Sequence, residues 1–286
     1  MRAAHYITLA IAIALIALLY WGGNTVPPAK NPGAATQPTA GAMTQGPNTM
    51  KPASFDSIVT ASRRQLPKTV ADTVLTIENE LTAMHDSSRM ASVFIRLSRV
   101  WERNNINTVA AYYVAKAAKL ENSEKKLTFA GRNFLQLMEG EVSPSVQVWE
   151  AKEAVGCLEQ SLKIAPDNEE AKLALATGYI EGTGEPMKGV QILLAITREK
   201  PDDIPANLLL GRMSIQSGQF DKAVGRFETI LKLEPDNKEA LYYLATAYEG
   251  KGDKKKAIEL LEKLKQQVTD NKEFSKEIEQ HINSLK

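Results

Sequence analysis

The sequence predicts an all-α protein, an α-solenoid of stacked helix pairs behind a single N-terminal transmembrane helix. Three observations carry this. A period of 34 residues joins Ala206 to Ala240, Gly218 to Gly252 and Ala223 to Ala257. Proline-led triplets, Pro166-Asp167-Asn168, Pro201-Asp202-Asp203 and Pro235-Asp236-Asn237, punctuate the same region at helix boundaries. The stretch Tyr6–Trp21 is uncharged and mostly Ile, Leu and Ala.

The N-terminus comes first. As a helix, Tyr6–Trp21 spans about 24 Å, and Gly22 and Gly23 extend it toward the ~30 Å of a hydrocarbon core. Tyr20 and Trp21 sit where an interfacial aromatic belt would lie. Two readings compete, a cleavable signal peptide and an uncleaved anchor. No small-x-small cleavage site follows the run closely, and no lipobox cysteine is present, which favours the anchor. Arg2 and the α-amino group then place the N-terminus in the cytoplasm and the rest outside. The expected location is a bacterial inner membrane, single-pass, with the folded part in the periplasm.

Residues 24–53 hold six prolines and no aromatic, Leu or Ile. Such a segment buries too little apolar surface to offset its ordering entropy. It reads as a disordered tether, with an end-to-end distance of roughly 30 Å. Charge is uneven along the chain. Net charge is +1 over 286 residues, but residues 1–53 contain Arg2, Lys30 and Lys51 and no acid. The balance argues against a dedicated nucleic-acid binder.

Residues 54–90 read as a helical hairpin broken at Pro67, capping the array. The array itself spans 91–268. Ala91, Leu97, Ser98 and Trp101 lead to Ala110, Val114 and Ala117 in 91–124. The unit 125–168 has a first helix at about 125–139 (Ala130, Phe134, Leu135, Met138) and a second at about 147–164 (Ala154, Leu158, Leu162). A longer loop through Pro144, at 140–147, is expected between them; it is either functional or merely tolerated. In 169–203, Ala171, Leu175, Ala176 and Tyr179 lead to Gly189, with one extra residue expected in the turn. In 204–237, Ala206, Leu210, Gly211 and Ser214 lead to Gly218, Phe220, Ala223 and Phe227. In 238–268, Ala240, Leu244, Ala245 and Tyr248 lead to Gly252, Ala257 and Leu261. Phe274, Ile278, Ile282 and Leu285 recur at helical spacing, so 269–286 is the expected C-terminal capping helix.

These residues resemble the tetratricopeptide repeat (TPR) family, whose unit is two antiparallel helices in 34 residues. The resemblance is in strong register across 169–268. It implies a right-handed α-solenoid. Small residues such as Gly211, Ala223, Ala245 and Ala257 would let the paired helices approach closely, with Leu210, Phe227, Leu244 and Tyr248 filling the space between.

The resemblance also implies that the first helix of each pair lines a concave groove. By that register the groove residues are Ile95, Arg96, Arg99, Glu102 and Arg103, then Arg132, Asn133 and Gln136. Leu173, Thr177 and Ile180 follow, then Leu208, Arg212 and Ile215, then Tyr242, Tyr243, Thr246 and Glu249. A groove basic at its N-terminal half and apolar at its C-terminal half would take a protein segment with acidic and apolar residues. The chaperone-tail clamp of one subfamily is not expected, because Ile95, Glu170 and Ala174 stand where that clamp needs other residues.

No catalytic, metal or cofactor site is expected. His5, His85 and His281 lack metal-ligand spacing with a cysteine or carboxylate cluster. The run Gly182–Gly189 lacks the Lys-Ser/Thr ending of a phosphate loop and follows a helix rather than a strand. Cys157, the single cysteine, has no histidine placed to activate it. Lys251 and Lys254–Lys256 read as a solvated turn. The leading expectation is a non-catalytic adaptor tethered to the membrane, acting in envelope assembly or secretion-related complexes, with protein partners and without nucleic acid or small-molecule substrate. Alternatives are a cytoplasmic-face adaptor and a self-associating structural subunit.

Overall fold

The computed structural model describes residues 51–286. The anchor Tyr6–Trp21 and the linker up to residue 50 lie outside the described residues. Among the described residues there are thirteen α-helices and no strand, and no helix is long and apolar enough to cross a membrane.

The helices are α1 (Phe55–Arg63), α2 (Lys68–Thr82), α3 (Ser87–Arg103), α4 (Asn107–Glu121), α5 (Glu124–Gly140), α6 (Pro144–Ile164) and α7 (Glu169–Thr177). After them come α8 (Pro186–Glu199), α9 (Ile204–Gln216), α10 (Phe220–Leu233), α11 (Lys238–Gly250), α12 (Lys254–Gln267) and α13 (Lys272–Leu285). Five pairs, α3/α4 through α11/α12, stack in chain order, and each second helix also packs on the first helix of the following pair. The result is a helical-repeat solenoid with a core that runs along the stack.

The proline-led triplets act as helix starts. Their third residues, Asn168, Asp203 and Asn237, sit in extended backbone and accept hydrogen bonds from the amides of Ala171, Ala206 and Ala240 at 2.9, 2.8 and 2.9 Å. Each bond satisfies one of the donors that a helix N-terminus leaves orphaned. Asp203→Ala is expected to cost about 1 kcal/mol in urea unfolding, with the fold retained.

Four of the five turns between paired helices share one geometry. Gly184, Gly218 and Gly252 have φ of 74°, 71° and 83°, and Asn105 has φ of 58° at the same place in α3/α4. Asparagine tolerates this left-handed region better than most side-bearing residues, so the first repeat keeps the turn without a glycine.

The extra residue of the third repeat lies elsewhere than the sequence suggests. Four residues separate Ser214 from Gly218 and Tyr248 from Gly252, but five separate Tyr179 from Gly184. The surplus is absorbed inside the helix, where Gly178–Gly182 form a π-helical turn continuing α7. The turn at Gly184 then keeps its usual shape.

The expected long loop at 140–147 is also corrected. Nine residues separate Trp101 from Ala110, Ser214 from Ala223 and Tyr248 from Ala257, but twenty separate Phe134 from Ala154. Those eleven additional residues lengthen both helices, α5 to 17 residues and α6 to 21. Only residues 141–143 remain as the connection, because Pro144 opens α6 at its first turn, where its missing N–H costs nothing. Neighbouring segments fit against this extension. A Cβ on Gly182 would lie 2.2 Å from Ala151 Cβ and 2.8 Å from Met138 Sδ, so only glycine lets the π-turn pack there.

The two N-terminal helices are bridged by the Arg63–Glu78 ion pair, and both contribute to one core with α3 and α4. α2 packs on α3, whereas α1 lies on α4 and reaches α6. Phe55 stacks on Tyr112 with ring centroids 3.5 Å apart and lies 6.1 Å from Trp149, and the Ala53 amide donates to the Ser145 carbonyl at 2.8 Å. Pro67 separates the two directions by disfavouring helix at Leu66. At the other end, α13 buries Ile278, Ile282 and Leu285 against α11 and α12 and turns a polar face outward.

Candidate partner-binding groove

The first helices of the pairs line two adjoining cavities. The larger, about 800 Å³, is walled by α5 (Phe129, Arg132, Asn133, Leu135, Gln136, Glu139), α7 (Glu170, Leu173, Ala174, Thr177) and α9 (Pro205, Leu209). The smaller, about 610 Å³, lies between α3, α4 and α5, and its walls include Glu102, Asn105, Thr108, Val114 and Glu141. Phe129, Asn133 and Gln136 line both.

Phe129 is the residue that sequence reasoning missed. It is 63 % exposed, which is unusual for a phenylalanine in the middle of an ordered helix. Its direction follows from the small residue two positions later. A Cβ on Gly131 would lie 2.5 Å from Leu158 Cγ, so Gly131 marks the line along which α5 touches α6. Gly211 plays the same part in α9, where a Cβ would meet the Phe227 ring at 2.5 Å. Two residues before each close-packed position, the chain faces the groove: Leu209 stands there in α9, Ala174 in α7 and Phe129 in α5. Reading Gly131 as the close-packed residue would have shown Phe129 in the sequence.

Of the residues expected to form the groove, the larger cavity brings together Arg132, Asn133, Gln136, Leu173 and Thr177. Ile95, Arg99, Arg103, Leu208, Arg212, Tyr242 and Thr246 line neither cavity. Leu208 is half-buried in the core formed with α10 and α11. Tyr242 is half-buried against the α11–α13 core, edge-on to Tyr243 at 5.5 Å and to His281 at 6.5 Å. Thr246 and Thr177 turn their hydroxyls back onto the carbonyls of Tyr242 and Leu173, each at 3.1 Å.

Several charged residues expected in the groove are paired. Arg96 makes a two-point contact with Glu80 of α2, at 2.7 and 3.1 Å. Arg132 is paired with Glu170 across the larger cavity. Arg212 is 3.2 Å from Glu181 and lies 5.6 Å over the Tyr243 ring. Glu249 meets His281 at 2.8 Å. Arg99 and Arg103 have no ion-pair partner among the described residues, but they stand outside both cavities. The cavity walls carry Glu102, Glu139, Glu141 and Glu170 against Arg132 alone. The lining is therefore acidic, the opposite of what an acidic partner segment needs.

Other candidate chemistry resolves simply. Cys157 is fully buried on α6, and burial pushes its thiol up to about 11, away from the thiolate a nucleophile needs. Among the described residues no group of histidine, cysteine and carboxylate side chains is placed to hold a metal ion. Glu150 of α6 is fully buried. One carboxylate oxygen accepts from the Thr108 hydroxyl at 2.8 Å, and the other has no hydrogen-bond partner. Burial pushes its carboxyl up to about 7, reinforced by the nearby Glu141 carboxylate and opposed by the Thr108 hydrogen bond.

The paired, stacked helices and a groove lined by alternate helices define a helical-repeat protein. Residues 214–276 match the family model of the tetratricopeptide repeat, and the solenoid is of the kind TPR proteins form. No curated protein matches the chain in sequence. Among solved structures, MamA (residues 41 to the end) from Desulfovibrio magneticus RS-1 is similar in fold, with 20 % identity and a TM-score of 0.50, covering 66 % of this chain and 99 % of that one. YrrB, described as a TPR protein with an unusual peptide-binding site, is 20 % identical over 63 % of this chain and 88 % of its own, with a TM-score of 0.45. PilW, described as a type IV pilus biogenesis factor, is 18 % identical over 68 % of this chain and 92 % of its own, with a TM-score of 0.48.

Proposed function

We propose that this protein is a non-catalytic scaffold that holds a segment of another protein along the face formed by α5, α7 and α9. Residues 1–23 would tether it to a bacterial inner membrane, with 24–53 as a spacer and the solenoid on the periplasmic side. The observation that carries the binding role is Phe129, an exposed aromatic at the junction of two cavities. An aromatic anchor of this kind contributes binding energy when a partner covers it and contributes little to the free fold.

The supporting pattern is consistent. Groove walls made of side chains from the alternate helices α5, α7 and α9 suit an extended or helical segment rather than a small molecule. A membrane tether would raise the local concentration of the scaffold beside membrane-bound partners. Protease accessibility of the solenoid in spheroplasts tests the topology: protection in spheroplasts with an intact inner membrane would place it in the cytoplasm instead.

A photo-crosslinking residue at Gln136, in the full-length protein in cells, tests the groove. It is expected to capture a defined segment of a partner. Phe129→Ala should leave the unfolding free energy within about 0.5 kcal/mol of wild type, as an exposed substitution does, and weaken capture by about 10-fold or more, the loss of a hot-spot contact. Absence of any captured segment at Gln136 would end the groove reading.

A further inference from the structure

We infer that the segment bound in this groove is basic, with an apolar residue that covers Phe129 and a Lys or Arg further along it, toward Glu102, Glu139 and Glu141. This inference rests on the scaffold reading and specifies the chemistry of its partner. At the α3–α5 end, Glu102 and Glu141 face the smaller cavity, and Glu139 stands one helical turn from Gln136 at its boundary with the larger. The Glu102 and Glu139 side chains have no hydrogen-bond or ion-pair partner among the described residues, and both residues are exposed. Of the groove's cations, Arg132 is already engaged with Glu170, and no cation answers the other three carboxylates.

Glu139 follows Phe129 by ten residues on α5, roughly 15 Å along the helix, so the apolar and the charged contacts fall on different residues of the bound segment. A lysine or arginine lays its methylene stem along apolar surface and keeps its charged end in a polar setting. The Phe129 ring offers an apolar anchor at one end, and the carboxylates offer charge-assisted acceptors toward the other. An acidic segment would instead meet Glu102, Glu139 and Glu141 with no cation to neutralise them, and like charges juxtaposed in an interface disfavour binding. The charge pattern therefore selects the sign of the partner, and the exposed ring supplies its anchor.

The test uses the full-length protein with the crosslinker at Gln136, comparing wild type with Glu102→Lys/Glu139→Lys. These two side chains are exposed and unpaired, so the fold should be kept, and circular dichroism checks it. The captured segment should carry net positive charge within the residues flanking the crosslink. The double substitution should reduce its capture about 10-fold or more, and raising the salt concentration from 0.05 to 0.5 M on isolated membranes should weaken capture of the wild type. An acidic or neutral segment, or capture unaffected by both charge reversal and salt, would overturn the inference and leave the scaffold reading standing. Capture of this chain's own residues 1–50 would overturn the partner assignment, because the groove would then be self-occupied. No capture at all would overturn both.

Discussion

Glu150→Gln is expected to remove most of the pH dependence of folding stability between pH 5 and 8. The folded carboxyl titrates at about 7, above the ordinary value of 4.5. The native state therefore holds a proton that the unfolded chain has released, and stability falls as pH rises from about 4.5 to about 7. The cost above pH 7 is at most about 3 kcal/mol, taking 1.36 kcal/mol per pKa unit. Glutamine keeps an oxygen to accept from Thr108 and carries no charge, so the variant should gain stability at pH 8 relative to wild type and little at pH 5. Urea unfolding of both proteins at the two pH values measures this. Parallel curves, with the same pH slope in variant and wild type, would show that Glu150 does not titrate in this range. Thr108 lines the smaller cavity, so the same bond ties the core to the groove wall.

Phe227→Ala should cost about 3–5 kcal/mol, the range for emptying a buried aromatic site. The ring is fully buried between α9 and α10 and stacks on Tyr243 of α11 at 5.8 Å. Gly211 faces the same ring, so Gly211→Ala alone should cost about 1–3 kcal/mol by overpacking. In the double variant the new methyl enters the space the ring has left. The combined loss should then be smaller than the sum, a coupling readable from a double-mutant cycle in urea. Additive losses would mean that α9 and α10 separate to admit the methyl.

Much of the fold was legible because its signals are local. Pro-Asp-Asn and Pro-Asp-Asp mark helix starts through a cap made within four residues, and Gly218 and Gly252 mark turns through their own φ. Asn105 performs the same turn but looks ordinary as a letter. The α5/α6 unit was the hardest to read. Eleven extra residues can make a loop or lengthen two helices, and the choice depends on whether another surface buries the added turns. Trp149 lies against Phe55 and Tyr112, and Ala151 lies against Gly182. Those contacts join residues far apart in sequence, so local pattern could not reveal them.

The sequence by itself determined the class of protein: a 34-residue period, small residues where helices touch and large ones between them leave a stacked helical array as the only way to bury the apolar faces. It also determined which residues cap and turn. The tertiary structure decided the character of the groove. Arg96 and Arg132 looked like part of a basic surface in the sequence, but they pair with Glu80 and Glu170 from other helices, and the cavity walls carry more carboxylates than cations. The physical reason is that a residue's type is written in the chain, whereas the net field at a site depends on which opposite charges the fold brings within a few ångströms.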